Sequence, residues 1–147
     1  MAPLIVLVVS AIVFWLTGLA GVRIFHDPSL VLRAALALMF CLTASAHWGK
    51  RRPDLIRMVP SALPHPDWLV TITGVLELLG AVGLLVPNTA RAACICLAVM
   101  LLALFPANVR AARQHLTIAG QPVPNLPVRG LIQVVFIGTL AAAAWLR

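Results

Sequence analysis

Charge is what this chain has least of. Among 147 residues there are 4 Asp and Glu against 11 Lys and Arg, so 10% are charged and the formal net charge is +7. A soluble domain carries about 25% charged residues, which a water-facing surface needs. Hydrophobic residues make up 62% of the sequence, and 15 charged side chains cannot cover a globule of this length. That shortage excludes a soluble enzyme and a disordered tail. With only three cysteines, Cys41, Cys94 and Cys96, all inside apolar runs, it is no secreted disulfide scaffold either. Cys94 and Cys96 are two apart and point to nearly opposite sides of a helix, so they read as small buried apolar residues rather than as a metal or redox pair. Period-2 alternation is missing, which excludes a β-barrel. What is left is an all-α integral membrane protein.

Five apolar stretches approach the roughly 20 residues needed to cross about 30 Å of hydrocarbon. They cover residues 4–22, 30–48, 68–86, 92–109 and 130–146, in one membrane domain spanning 1–147. The second carries Arg33 and His47, the third Glu77, and the others no charge. Proline and capping residues precede the middle runs: Asp27-Pro28-Ser29, Pro66-Asp67 and Pro87-Asn88-Thr89. The first run has no basic residue before it, too long an apolar core for a signal peptide and no A-x-A site after it, so it reads as a retained helix.

Five crossings put the termini on opposite sides. One side then holds Lys50, Arg51, Arg52, Arg57, Arg110, Arg113 and Arg129; the other holds Arg23, Arg33, Arg91 and Arg147. The positive-inside bias places the first group, and the N-terminus, in the cytoplasm. The basic excess is thereby explained by topology and anionic headgroups, not by nucleic acid. Two long loops lie on that side. Residues 49–67 open with basic residues and continue with Leu55, Ile56, Met58 and Val59, a mixture suited to a short amphipathic turn at the headgroups. Residues 114–128 contain P-V-P-N-L-P and read as extended chain.

Residues 42–112 carry four ordered motifs. These are Ala46-His47-Trp48-Gly49, the M-V-P-S-A-L-P loop from Met58, the T-G-V-L-E-L-L-G-A-V-G-L-L helix from Thr73, and F-P-A-N-V-R-A-A from Phe105. Together they resemble the DoxX family of small bacterial membrane proteins. The resemblance implies a compact four-helix membrane unit, here the second to fifth runs, with the first run added. It also implies a setting among membrane redox complexes, such as an archaeal thiosulfate:quinone oxidoreductase, or in the assembly of membrane proteins.

Glu77 is the most informative single residue. It lies about 13 Å from either end of its run at 1.5 Å per residue, near the bilayer midplane. A carboxylate there must be neutral, paired or facing a wet cavity. Thr73, Gly74, Glu77, Gly80 and Ala81 form one stripe, whose small residues admit a neighbouring helix. By helical rise Arg33 is about 9 Å away in depth and His47 about 12 Å, which predicts an intramembrane Arg33–Glu77 ion pair.

A second polar layer is expected on the cytoplasmic side. Thr43, His47, Thr73, Asn108 and Gln133 come from four helices at similar depth, with Pro106 bending the fourth to turn Asn108 inward. They predict one ligand pocket, covered by residues 52–66 and 121–127. Hydroxyls, amides and one imidazole suit a quinone carbonyl or a lipid headgroup and do not suit a bare metal ion. No Ser–His–Asp set, H-E-x-x-H or glycine-rich phosphate loop is present, and no covalent cofactor is implied. The expectation is a small membrane subunit binding a quinone or lipid for a redox partner. An assembly scaffold and a small transporter with Glu77 as proton site are the alternatives. Membrane lipids, a redox enzyme or a second copy of the chain are the partners implied.

Overall fold

The computed structural model describes residues 1–146; Arg147, counted above on the outer side, lies outside the described residues. The order of elements is α1 (Ala2–Leu19), a 3-10 turn (Arg23–His26), α2 (Pro28–Ser45), α3 (Arg52–Met58), α4 (Pro66–Leu85), α5 (Ala90–Ala103), α6 (Phe105–Arg113), a two-residue-strand hairpin of β1 (Thr117–Ile118) and β2 (Gln121–Pro122), and α7 (Leu126–Trp145). Five helical stretches are long and apolar enough to cross a bilayer, with α5 and α6 counted as one of 24 residues.

The later spans start slightly before their apolar runs because proline and cap belong to the first turn. Asp27 accepts from the Ser29 amide at 2.9 Å ahead of Pro28, and Asn125 accepts from the Val128 amide at 3.3 Å. Thr89 does not cap α5; its hydroxyl donates back to Gly83 O at 2.9 Å, closing the end of α4. The fourth run breaks at Leu104, two residues before Pro106, as a missing amide donor requires.

α2, α4, α5 and α7 close a ring in which each helix packs against the next, and α1 lies outside it against α2. Leu36, Leu84 and Leu140 fill the centre at 0% exposure, while Leu79 and Val82 on the outer face of α4 are 63% and 62% exposed. An apolar exterior around an apolar core is the pattern that lipid, and not water, solvates. The small residues of α4 let its neighbours in. A side chain at Gly80 would meet Leu97 of α5 at 2.5 Å, and one at Gly83 would meet Ala93 at 3.0 Å. α1 is held at Gly18, where a Cβ would strike Phe25 O at 2.5 Å; there His26 Nε2 reaches Gly18 O at 3.0 Å and Phe14 stacks on Phe25.

The two long loops meet at one end of the ring. Where a short amphipathic turn is expected in the first of them, the chain forms the seven-residue helix α3. The second departs from the extended reading: Ala119 and Gly120 both take positive φ, 52° and 75°, and turn the chain into the small hairpin before the prolines. Asp54 on α3 clasps this hairpin, its Oδ2 accepting from the Ala119 amide at 2.8 Å and its Oδ1 from Arg57. The donated amide, with Arg57 beside it, holds the Asp54 carboxyl below the ordinary carboxylate range. The clasp is therefore complete above that range and is lost as pH falls through the lowered value. The protection factor of the Ala119 amide, its exchange rate relative to the intrinsic rate at each pH, should be high at neutral pH, fall in acid, and be low at all pH in Asp54→Ala. Equal protection with and without the carboxylate would show that the hairpin does not depend on it.

Candidate functional site

Glu77 faces the interior, 5% exposed, in the middle of α4. The Arg33–Glu77 pair expected from depth is not formed. Arg33 turns back to Asp27, 3.7 Å away, and its Nε donates to Ser29 O at 3.4 Å. The partner beside Glu77 is His47, with Nδ1 3.9 Å from Oε2. Two physical facts keep Arg33 from Glu77 and bring His47 to it. Side chains on a helix lean toward its N-terminus, and α2 and α4 run in opposite directions, so Arg33 and Glu77 lean apart. And α2 ends at Ser45, so His47 sits in the following turn and folds onto Gly74, where a side chain would meet its Cβ at 2.7 Å. Gly74 is one turn from Glu77, on the side toward which the carboxylate leans.

His47 is itself 8% exposed and held from two directions. Its Nδ1 lies 3.2 Å from Thr43 O, which selects the tautomer with the proton on Nδ1. Arg52 of α3 donates through Nη1 to His47 O at 2.8 Å and through Nη2 to Asp67 O and Thr71 Oγ1 at 3.0 and 2.9 Å. That guanidinium pins the turn after α2 to the start of α4. Thr43 lies beside the Glu77 carboxyl, with its own hydroxyl donated to Phe40 O at 3.0 Å. Glu77 Oε2 is buried without a hydrogen-bond partner.

Asn108 and Gln133, two of the other predicted pocket residues, form a separate network. Asn108 Nδ2 donates to Gln133 Oε1 at 3.1 Å, and Gln133 Nε2 donates to Leu101 O at 3.1 Å. Arg129 donates to Asn108 Oδ1. Leu101 lies just before the break at Leu104, so Gln133 of α7 supplies a donor where the helix is interrupted. Thr73 joins neither network; its hydroxyl bonds Leu69 O and Val70 O of its own helix. The structure thus brings together Thr43 with His47, and Asn108 with Gln133, in place of one common pocket. Polar groups in an apolar bundle were expected to converge on a ligand; here they satisfy each other and the backbone.

The sequence marks Arg129 only as a topological charge and Arg52 as that and as the start of a covering loop, not as hydrogen-bond donors of the two networks. The spacing of Arg129 and Gln133, four apart on one helix face, is the signal that would have joined Arg129 to the network. Cavities lie elsewhere. One of about 540 Å³ is lined by Pro60, Phe105, Pro106, Val109, Arg110, Arg113 and Gln114. Another of about 250 Å³, at the opposite end, includes Asp27, Ser29, Arg33, Arg91 and Ala143.

Residues 36–146 match the family model described as Domain of unknown function (DUF8561). The chain belongs to that family. No curated protein and no solved structure matches it. The matched region begins inside α2 and takes in both polar networks, while α1 precedes it.

Two substitutions separate the networks. Gly74→Val places a side chain where His47 packs and should destabilise the bundle by about 1–3 kcal/mol through overpacking. Asn108→Ala removes one interhelical link and should cost about 1 kcal/mol. Reversible unfolding in mixed micelles checks both, and wild-type stability in Gly74→Val would mean that His47 is not seated there.

Proposed function

We propose that this chain is a small inner-membrane protein, DoxX-like in its four-helix unit, that handles a proton through Glu77 and His47. The carrying observation is a buried carboxylate in mid-span, with one oxygen unpartnered, 3.9 Å from a buried imidazole. Ionisable groups inside a membrane bundle are costly and mark ion and proton pathways. With one proton between them, the two side chains are either an ion pair or a neutral acid and base, and neither state leaves net charge in the bundle. Nδ1, which faces Oε2 across 3.9 Å, keeps its proton on Thr43 O, so the exchanged proton reaches the imidazole at Nε2 through a bridging water. His47 is the member nearer the loops, so the proton enters from the end bearing Lys50, Arg51 and Arg52, which the positive-inside bias assigns to the cytoplasm.

A quinone held for a redox partner by the five-residue pocket fits less well, because those side chains already engage one another and the backbone. The Glu77–His47 pair supports a proton-coupled membrane protein instead, acting alone or beside a redox partner.

An apolar carbodiimide, which modifies protonated carboxyl groups within membranes, provides the test. Glu77 should be labelled, more strongly as pH falls, and His47→Gln should change that pH dependence. Vesicles containing the protein should also relax an imposed pH difference faster than vesicles containing Glu77→Gln. Labelling confined to Asp27, Asp54 and Asp67, with equal relaxation in both vesicles, would remove the proton reading.

A further inference from the structure

The cavity of about 540 Å³ at the loop end takes no part in either polar network. Its walls are Pro60, from the segment after α3, and Phe105, Pro106 and Val109 of α6; its rim carries Arg110, Arg113 and Gln114. The surface of the groove is almost wholly apolar, with Arg110 and Arg113 bordering it through their aliphatic stems, which suits an acyl chain lying next to an anionic headgroup. Depth agrees. α5 and α6 together have 24 residues, about 36 Å at 1.5 Å per residue, longer than about 30 Å of hydrocarbon. The last turn of α6 therefore emerges at the level of the lipid phosphates.

The guanidiniums at the rim are available for an anion. Arg110 is oriented by neutral groups, with Nη1 donating to Val59 O at 2.8 Å and Nε to Gln114 Oε1 at 3.2 Å. Among the described residues no carboxylate lies within ion-pair distance of Arg110 or Arg113. The nearest acids in sequence at this end are Asp54, bonded to Arg57 and Ala119, and Asp67 at the start of α4. Seven basic residues against these two acids leave the loop end strongly positive.

We propose that this groove is a binding site for one anionic phospholipid. An acyl chain lies along Phe105, Pro106 and Val109, and Arg110 and Arg113 hold the phosphodiester. The Val59–Arg110 hydrogen bond fixes one wall to the other, so the site is held open between the loop and α6. Free phosphate lacks the chain that the apolar walls accept, and a zwitterionic lipid places a compensating cation beside its phosphate. Binding at this groove is independent of the proton site, because no residue is shared.

Native mass spectrometry of the purified protein, titrated with phosphatidylglycerol or phosphatidylcholine, tests the proposal. Wild type should retain one phosphatidylglycerol in preference to phosphatidylcholine, and inorganic phosphate should not displace it. Each basic residue near an anionic headgroup contributes about 1 kcal/mol, so the double variant Arg110→Gln with Arg113→Gln should lose the preference by roughly tenfold or more. Val109→Trp, which fills the groove and keeps the charge, should weaken retention of that lipid as well. Lys50→Gln with Arg51→Gln removes the same charge away from the groove and should change little. Equal retention of the two lipids by wild type, or an equal loss in the Lys50 and Arg51 variant, would overturn the site in favour of diffuse attraction. Displacement by inorganic phosphate would do the same in favour of a simple anion site.

Discussion

A carboxylate in the middle of a membrane bundle must be enclosed, and the arrangement of α2 against α4 follows from how Glu77 is enclosed. Lipid cannot solvate it. The solution begins with an absent side chain. Gly74 leaves room for the turn after α2 to lie directly on α4, and the residue that occupies the room is His47. The imidazole is then fixed by Thr43 O and its backbone by Arg52, which also grips Asp67 and Thr71. One glycine, one histidine and one arginine thus set where the first loop leaves the bundle. α3 and the hairpin that Asp54 clasps are placed as a consequence.

At the other corner of the ring a helix break plays the corresponding part. Pro106 interrupts the fourth span, and Gln133, Asn108 and Arg129 tie the interruption to α7. The two corners lie at the same end, so that end is polar and cross-linked while the opposite end is joined by fewer bonds. Ser29 reaches Ala143 O at 3.3 Å there, and Arg91 lies over the Trp145 ring at 4.9 Å. The end that carries the loops is the one where both polar networks and the larger groove are found. α1, outside the family region, touches none of them and packs on the outer face of α2.

Much of the fold was legible because membrane crossing is a coarse, strongly encoded property. Run length and proline position place α2, α4 and α7 within a few residues, and Pro106 announces the break at Leu104. Partner choice was not legible in the same way. Counting depth along helix axes made Arg33 nearer to Glu77 than His47, because the count ignores the lean of side chains toward their own N-termini and the turn that ends α2 at Ser45. The five-residue pocket was a sound inference about polar groups avoiding lipid, yet depth alone does not say which of them meet. Thr73 met its own backbone, and Asn108 met Gln133. Arg129 was hidden by its sequence context, where an arginine just outside an apolar run reads as a topological signal.

The central claim is that Glu77 and His47 share a single proton inside the bundle. Infrared titration of the protein in lipid nanodiscs addresses it most directly, because a protonated carboxyl in an apolar setting has its own carbonyl stretch. A shared proton should give a carboxyl band that responds to pH, vanishes in Glu77→Gln and moves in His47→Gln. A band that survives in Glu77→Gln, or that His47→Gln leaves untouched, would contradict it.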